Sequence, residues 1–404
     1  MDVRNPDSIE QDVTVALGED YPELRDAVRR ICSDFQPEYW RKLDEERGYP
    51  TEFVKAMTAA GFLGALIPEE YGGSGLPLRA AAVVLEEVNA SGCTASPAHA
   101  QMYIMGTLLR HGSEEQKRRY LPKIASGELR LQAFGVTEPT TGSDTTQLKT
   151  RAERRGNVYV VNGQKVWTSR ALHSDLMLLL ARTTPVDQVK RRTEGLSTFL
   201  VDLRQARGKG VEIKPIRALI NHNTTEVFFD NLEVPAENLI GEEGQGFRYI
   251  LDGMNAERIL VASECIGDGR WLLKKGVAYA NERKVFGRPI GQNQGVQFPL
   301  ARAYAELEAA DMIARRAAAL FQAGKPCGPD ANMAKLLASE ATWHGAEAAM
   351  QTHGGFGFAQ EYDIERKWRE GAHLPDRADL HQSDPRLYRP ARAWPATIIL
   401  RKVS

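Results

Sequence analysis

Cysteine is scarce in this chain. Cys32, Cys93, Cys265 and Cys327 are the only four among 404 residues, far apart, without metal-ligand spacing and set in apolar helical stretches. That usage excludes a disulfide frame, gives no zinc or other metal site, and suits free thiols in a reducing compartment. A surplus of either charge is missing too: 52 basic residues face 53 acidic ones, for a net charge of −1. No overall field therefore points to nucleic acid or to an anionic membrane. The short basic runs "VKRR" (189–192) and "RGKG" (207–210) are expected to be solvated loops. No apolar run approaches the roughly 20 residues of a membrane span, and the opening "MDVRNPDSIEQD" has no basic segment followed by an apolar one. A cytoplasmic protein without membrane insertion is the expectation. Repeats and low-complexity tracts are absent as well.

What is present changes period twice. Up to about residue 128 the pattern is helical: in "PTEFVKAMTAAG" Thr51 is placed to cap, Phe53, Val54, Met57 and Ala60 share a face, and Gly61 stops the helix. Ser113 and Gln116 have capping-box spacing. From 131 to about 240, "NVYVVNGQKVWTS", "DLMLLLAR", "STFLVDL", "VEIKPI" and "TEVFFDNLEV" read as strands, rich in β-branched and aromatic residues and separated by turn formers. "GEEGQG" is a linker, and helices return over 246–282, 296–323 and 330–353, the second with Leu300, Tyr304, Leu307, Ala310, Ala314 and Phe321 as one stripe. Helices, then strands, then helices rule out a doubly wound sheet, which alternates the two. The expectation is an α+β chain: a helical domain over 1–130, a β domain over 131–243, a helical bundle over 244–370, and a tail over 371–404. A cofactor would lie where they meet.

Two segments of the β region carry polar groups in apolar settings. In "FGVTEPTTGSD" (134–144) glycine and small hydroxyl residues let backbone amides approach a ligand, although the same residues make ordinary β-turns. In "NGQKVWTSRA" (162–171) Trp167 offers a flat apolar face, with the Thr168 and Ser169 hydroxyls beside it, although a core indole on a half-buried strand has the same signature.

Taken in order, these pieces resemble the acyl-CoA dehydrogenase family. "AFGVTEPTTGSD" and "KVWTS" are similar to its two flavin-binding segments, "FDNLEVPAENLIGEEGQGF" to the exit from its β domain, "ANERKVFGRPIGQNQGVQ" to the segment reaching a neighbouring subunit's FAD, and "QTHGGFGF" to the segment meeting the far end of that FAD. The likeness covers roughly residues 22–370. It implies a β-barrel or sandwich-like middle domain, a C-terminal four-helix bundle, and FAD as cofactor. Phe134, Val136 and Thr137 would line the flavin, Trp167 would cover one face, and Thr168 and Ser169 would supply hydroxyls near it. Serine at 169 departs mildly from the family's frequent threonine. Ser143 would lie near the thioester and pantetheine. Arg283, Phe286 and Gln294, with Gln351, Gly354 and Gly355, would hold the FAD of a partner subunit, arginine by paired hydrogen bonds to the pyrophosphate and glycine by close backbone approach. The resemblance also implies an acyl-CoA substrate, an electron-transferring flavoprotein as electron acceptor, and a homo-oligomer, either dimer or tetramer.

The family's reaction takes a proton from the carbon beside a thioester carbonyl, and so weak an acid requires a carboxylate base in a dry site. In "GMNAERILVA" (253–262) Glu257 and Arg258 interrupt a stripe of Phe247, Ile250, Leu251, Met254, Val261 and Cys265, where ionisable groups are costly. Glu257 before an arginine matches the minority of the family whose base sits on the helix after the β domain. The commoner C-terminal place holds no glutamate. Asn255 and Arg258 are taken as substrate-side residues, and Asp376 or Asp379 as fallback bases. Two alternatives stay open: a flavin monooxygenase or oxidase on the same fold, and a non-catalytic flavoprotein subunit.

After "ERKWRE" the resemblance ends. The tail is rich in Pro, Arg, Asp and His, the composition of a GC-rich gene read out of frame, which sequencing the gene across codon 370 tests.

Overall fold

The computed structural model describes residues 19–142 and 144–373. Ser143, Asp376 and Asp379 lie outside the described residues. Helices α1 (Pro22–Cys32), α2 (Pro37–Glu46), α3 (Thr51–Ala59), α4 (Leu78–Ala90), α5 (Ser96–His111) and α6 (Glu114–Ser126) come first. Their starts are chemically marked. Pro22, Pro37 and Pro97 stand in first turns, where the missing N–H costs nothing. At α6 the expected capping box is formed, Ser113 Oγ accepting from Gln116 N at 3.1 Å and Gln116 Oε1 from Ser113 N at 3.0 Å. Thr51 is not a cap: it is the first helical residue, preceded by Pro50, and its hydroxyl turns back towards the Tyr49 carbonyl.

The next strands are β1 (Leu131–Gly135), β2 (Arg151–Arg155), β3 (Val158–Ser169), β4 (Leu176–Arg182), β5 (Leu196–Asp202), β6 (Val211–Pro215), β7 (Thr224–Pro235) and β8 (Leu239–Ile240), with a short helix α7 (Leu203–Ala206) after β5. They form one eight-stranded sheet in the order β6-β7-β3-β2-β4-β5-β8, with β1 parallel to β4 at its side. The five expected strands are all there. β2, "RAERR", is an addition, its pattern hidden by charge because only Ala152 faces inward. The runs at 189–192 and 207–210 lie in surface loops.

The third stretch holds α8 (Gly246–Glu282), a hairpin of β9 (Lys284–Val285) and β10 (Arg288–Pro289), α9 (Gln294–Gln322), α10 (Gly328–His353) and α11 (Ile364–His373). Among the described residues no helix is long and apolar enough to cross a membrane. α8 is apolar on almost every side and accordingly buried on almost every side. Phe247, Ile250 and Met254 pack under the sheet against Val136, Leu148 and Leu180. Further along, Ile259, Leu260, Val261 and Cys265 enter a core that draws both on the first helices (Val28, Phe53, Leu85) and on the last (Leu307, Ala338). On α9, Leu300, Leu307, Ala310 and Ala314 are buried as expected, but Tyr304 is 58 % exposed and leaves the stripe.

α4 and α8 approach closely at Gly267. A methyl there would meet the Glu86 carbonyl oxygen at 2.2 Å and Asn89 Cβ at 2.9 Å. Alanine normally favours a helix over glycine by about 1 kcal/mol, but a backbone carbonyl cannot move aside. Gly267→Ala is therefore expected to cost about 3 kcal/mol, measured as a lower midpoint of urea unfolding.

Candidate active site

α5 lies between the sheet and α8, touching β1 on one side and α8 on the other. Two contacts fix how α5 and α8 face each other. A methyl at Gly253 would meet Arg110 at 3.0 Å and Thr107 at 4.0 Å, and the Glu264 carboxylate stands 3.3 Å from His99 Nδ1. The helices are antiparallel, and Glu257, between those two contacts, faces the turn that holds Tyr103. Tyr103 meets Phe134 of β1 edge to face, ring centroids 5.7 Å apart. Glu257 and Arg258 are both buried, as the opening tension in the sequence requires, and Asn255 is half-buried beside the start of α10. Glu257 thus lies on the part of α8 that packs against α5 between these two contacts, near where α5 meets β1.

Lys165 joins the two expected flavin segments. Its Nζ, fully buried, donates to the Val136 carbonyl at 3.0 Å and to Glu138 Oε1 at 2.9 Å. Glu138 also accepts from the backbone amides of Lys149 and Thr150, and the Thr137 carbonyl accepts from Val166 N at 2.9 Å. Burial lowers Lys165 to about 8, only partly offset by Glu138. Burial would raise the Glu138 carboxyl, but Lys165 and the two backbone amides hold it below its ordinary value. The loop 136–138 is thereby fastened to β3 just ahead of Trp167.

There β3 bulges. The register shifts between Lys165 and Thr168, and Trp167 has φ 60°, a left-handed conformation that costs an aromatic residue energy and tends to persist where function holds it. Its indole is 59 % exposed. Thr168, fully buried, has no hydrogen-bond partner for Oγ1 among the described residues, and Ser169 is half-buried. An exposed flat ring beside an orphaned hydroxyl, facing half-buried Phe134 and Thr137, fits a planar heterocycle with hydrogen-bonding edges.

The other expected cofactor residues are elsewhere. Arg283 and Gln294 are exposed at the two ends of the β9–β10 hairpin, and Phe286 at its tip is fully exposed with φ 53°. Gln351 in the last turn of α10 and Gly354 and Gly355 just after it are exposed, and side chains added at the two glycines would meet nothing. Tyr279 stacks on His353 at 4.2 Å, which brings these two groups to the same end of α8. Tyr279 is 22 residues beyond Glu257 on that helix, about 33 Å at 1.5 Å per residue. Among the described residues no cluster of His, Cys, Asp and Glu is built to hold a metal, and the four cysteines are buried and in no disulfide.

Several buried ionisable groups were not foreseen: Lys165 with Glu138, His99 with Glu264, and Asp268 with Lys367 and Glu370. Lys367 donates to Asp268 at 2.6 Å and to Glu370 at 2.9 Å. Burial raises Asp268 to about 7, and the two carboxylates keep the Lys367 ammonium charged. Only Lys165 left a trace in the sequence, since strand alternation puts it on the inward side with Tyr159 and Val161.

Three family models match in order: the acyl-CoA dehydrogenase N-terminal domain over residues 18–128, the middle domain over 133–232 and the C-terminal domain over 244–372. An acyl-CoA dehydrogenase of Bacillus subtilis is 37 % identical over 353 residues, 85 % of this chain and 91 % of its own length. Glutaryl-CoA dehydrogenase of Desulfococcus multivorans is 36 % identical, with 86 % and 89 % covered. The crystal structure of an acyl-CoA dehydrogenase from Geobacillus kaustophilus superposes with a TM-score of 0.84 at 29 % identity, over 96 % of this chain and 99 % of that one. On these matches and this architecture, the chain belongs to the acyl-CoA dehydrogenase family of FAD-dependent CH–CH oxidoreductases.

Proposed function

We propose that this enzyme converts an acyl-CoA thioester to the 2-enoyl-CoA with Glu257 as the base. The carboxylate takes the proton from C2, C3 gives up a hydride, and the C2–C3 double bond forms. Bound FAD supplies the hydride acceptor. The observation that carries this reading is the position of Glu257: buried on a long helix, between the contacts that Gly253 and Glu264 make with α5. In that low-dielectric setting the carboxylate is not damped by water, and its line to C2 is fixed by packing rather than by a loop. Arg258 projects about 100° away around the helix and serves the CoA side with Asn255. Phe134, Val136, Thr137, Trp167, Thr168 and Ser169 would hold the flavin ring, Trp167 supplying a flat apolar surface and the hydroxyls hydrogen bonds.

Arg283, Phe286 and Gln294, with Gln351, Gly354 and Gly355, serve the FAD of a second copy of the chain, in a dimer or tetramer. Their separation from Glu257 supports this, because it exceeds the span of an extended FAD, and so does an aromatic ring left fully exposed at a hairpin tip. Electrons then pass to an electron-transferring flavoprotein, in the cytoplasm.

Anaerobic titration of the FAD-loaded protein with a panel of saturated acyl-CoA thioesters tests the reading. At least one should bleach the flavin absorbance stoichiometrically. A yellow protein bleached by none of them would overturn it.

A further inference from the structure

The α5–α8 seam does not end in hydrocarbon. On α5 the seam side carries Arg110, Thr107, Tyr103, His99 and Ser96, and facing them on α8 are Gly253, Glu257, Glu264 and Asp268. Arg110 and Asp252 at one end of this seam are open to solvent, and His99 at 0 % and Glu264 at 2 % lie buried at the other. The His99 end is the buried floor of the seam. Glu257 and Glu264 are seven residues apart and so share a face of α8, while His99 lies one helical turn beyond Tyr103, its ring 5.0 Å from the tyrosine ring.

An apolar acyl tail would gain nothing from such a floor. His99 Nε2 is fully buried and has no hydrogen-bond partner among the described residues. Its Nδ1 stands 3.3 Å from the Glu264 carboxylate and likewise makes no hydrogen bond among the described residues, so the ring has hydrogen-bonding capacity to spare, with Nε2 the nitrogen away from that charge. Leaving a buried polar atom without a partner is costly, which gives the site a strong preference for a ligand that supplies one. Beyond the pair lies a cavity of about 30 Å³ lined by Asn89, Ser96, His222, Glu264, Asp268 and Glu370, with room for water and three carboxyl groups on its wall. Asp268 and Glu370 are held by the Lys367 ammonium, so the charge that disfavours a terminal carboxylate at His99 is that of Glu264, 3.3 Å from Nδ1.

We infer that the enzyme's substrate is an acyl-CoA whose acyl group ends in an uncharged hydrogen-bonding group, such as a hydroxyl, seated on His99. This rests on Glu257 marking the position of C2. One helical turn from Tyr103 to His99 is about 6 Å, roughly the reach of the carbons from C2 to a substituent on C6. Glu264 is the charged neighbour of His99 on the side away from Nε2.

The probes are hexanoyl-CoA, 6-hydroxyhexanoyl-CoA and adipyl-CoA. Their binding to FAD-loaded Glu257→Gln protein is measured by calorimetry, and bleaching is measured with the wild type. The hydroxy thioester should bind at least about tenfold more tightly than hexanoyl-CoA, with adipyl-CoA weakest. His99→Leu in the same background should erase the preference, and His99→Gln, which keeps a hydrogen-bonding end, should recover most of it. Equal or weaker binding of the hydroxy thioester, tightest binding of adipyl-CoA, or a preference that survives in His99→Leu would overturn the inference. Bleaching by hexanoyl-CoA with no gain from the hydroxyl sinks the inference alone. A hydroxyl preference in binding with no bleaching by any thioester sinks the dehydrogenase reading and leaves the floor of the seam as argued. No binding of any thioester ends both.

Discussion

Glu257→Gln is expected to leave FAD bound and the fold intact while slowing flavin bleaching by acyl-CoA about 10³-fold, within the range a positioned general base contributes. Glutamine has the shape of glutamate and can keep its hydrogen bonds, but it cannot take a proton from carbon. A carboxylate kept only for structure would behave differently, because its amide would shift the melting temperature and leave the first half-reaction near its normal rate. Stopped-flow mixing under anaerobic conditions separates these outcomes directly. Bleaching within a few-fold of wild type, in protein with full flavin content, would move the base away from Glu257.

Lys165→Met should have the largest effect on stability. It leaves Glu138 buried without its counter-ion, a change that costs about 3–5 kcal/mol when a buried pair is broken from one side. The pH dependence gives the sign. In the wild type, Lys165 at about 8 lies below its unfolded value of 10.5, so the unfolded chain binds more protons between those values and this group's contribution to stability rises with pH there. Glu138, held below its ordinary value, contributes stability above about pH 4.5 that is lost as pH falls through its folded value. Without Lys165 burial dominates and raises Glu138. The folded variant then holds a proton that the unfolded chain releases, so its deficit should be smaller at pH 5 than at pH 8. Unfolding in urea at the two pH values checks this. Loosening of 136–138 from β3 should weaken FAD retention as well, and Lys165→Met with Glu138→Gln should recover part of the stability by removing the stranded charge.

What could be read from the sequence was whatever leaves a local pattern. α8 runs over the residues expected of it because a long apolar run between "GEEGQG" and "ERKVFG" has few alternatives, and the capping box at Ser113 is a reciprocal device within four residues. β2 was hidden because a strand that buries one alanine among four charged residues has no alternation to detect. Thr51 misled because Pro50 already occupies the capping position, and Tyr304 because the facing helices cover less of α9 than its apolar stripe suggests. Glu257 was found because it breaks a periodic face and matches a family position. His99, Glu264 and Asp268 lie in helices buried on most sides, and their roles depend on which residue another helix brings opposite. His99 and Glu264 are 165 positions apart, and nothing in either neighbourhood names the other. Lys165 and Glu138 are closer, but their pairing depends on a loop folding back over β3.

The apolar core shared by Val28, Phe53 and Leu85 with Leu307 and Ala338 bears on how the chain is made. A polypeptide leaving the ribosome can assemble the sheet as soon as residue 240 has emerged, because all its strands are by then available. Helices α1, α3 and α4 must wait more than two hundred residues for α9 and α10 to cover them. During that interval they expose greasy surface, and newly made chains truncated before α9 should be chaperone clients rather than free-standing domains.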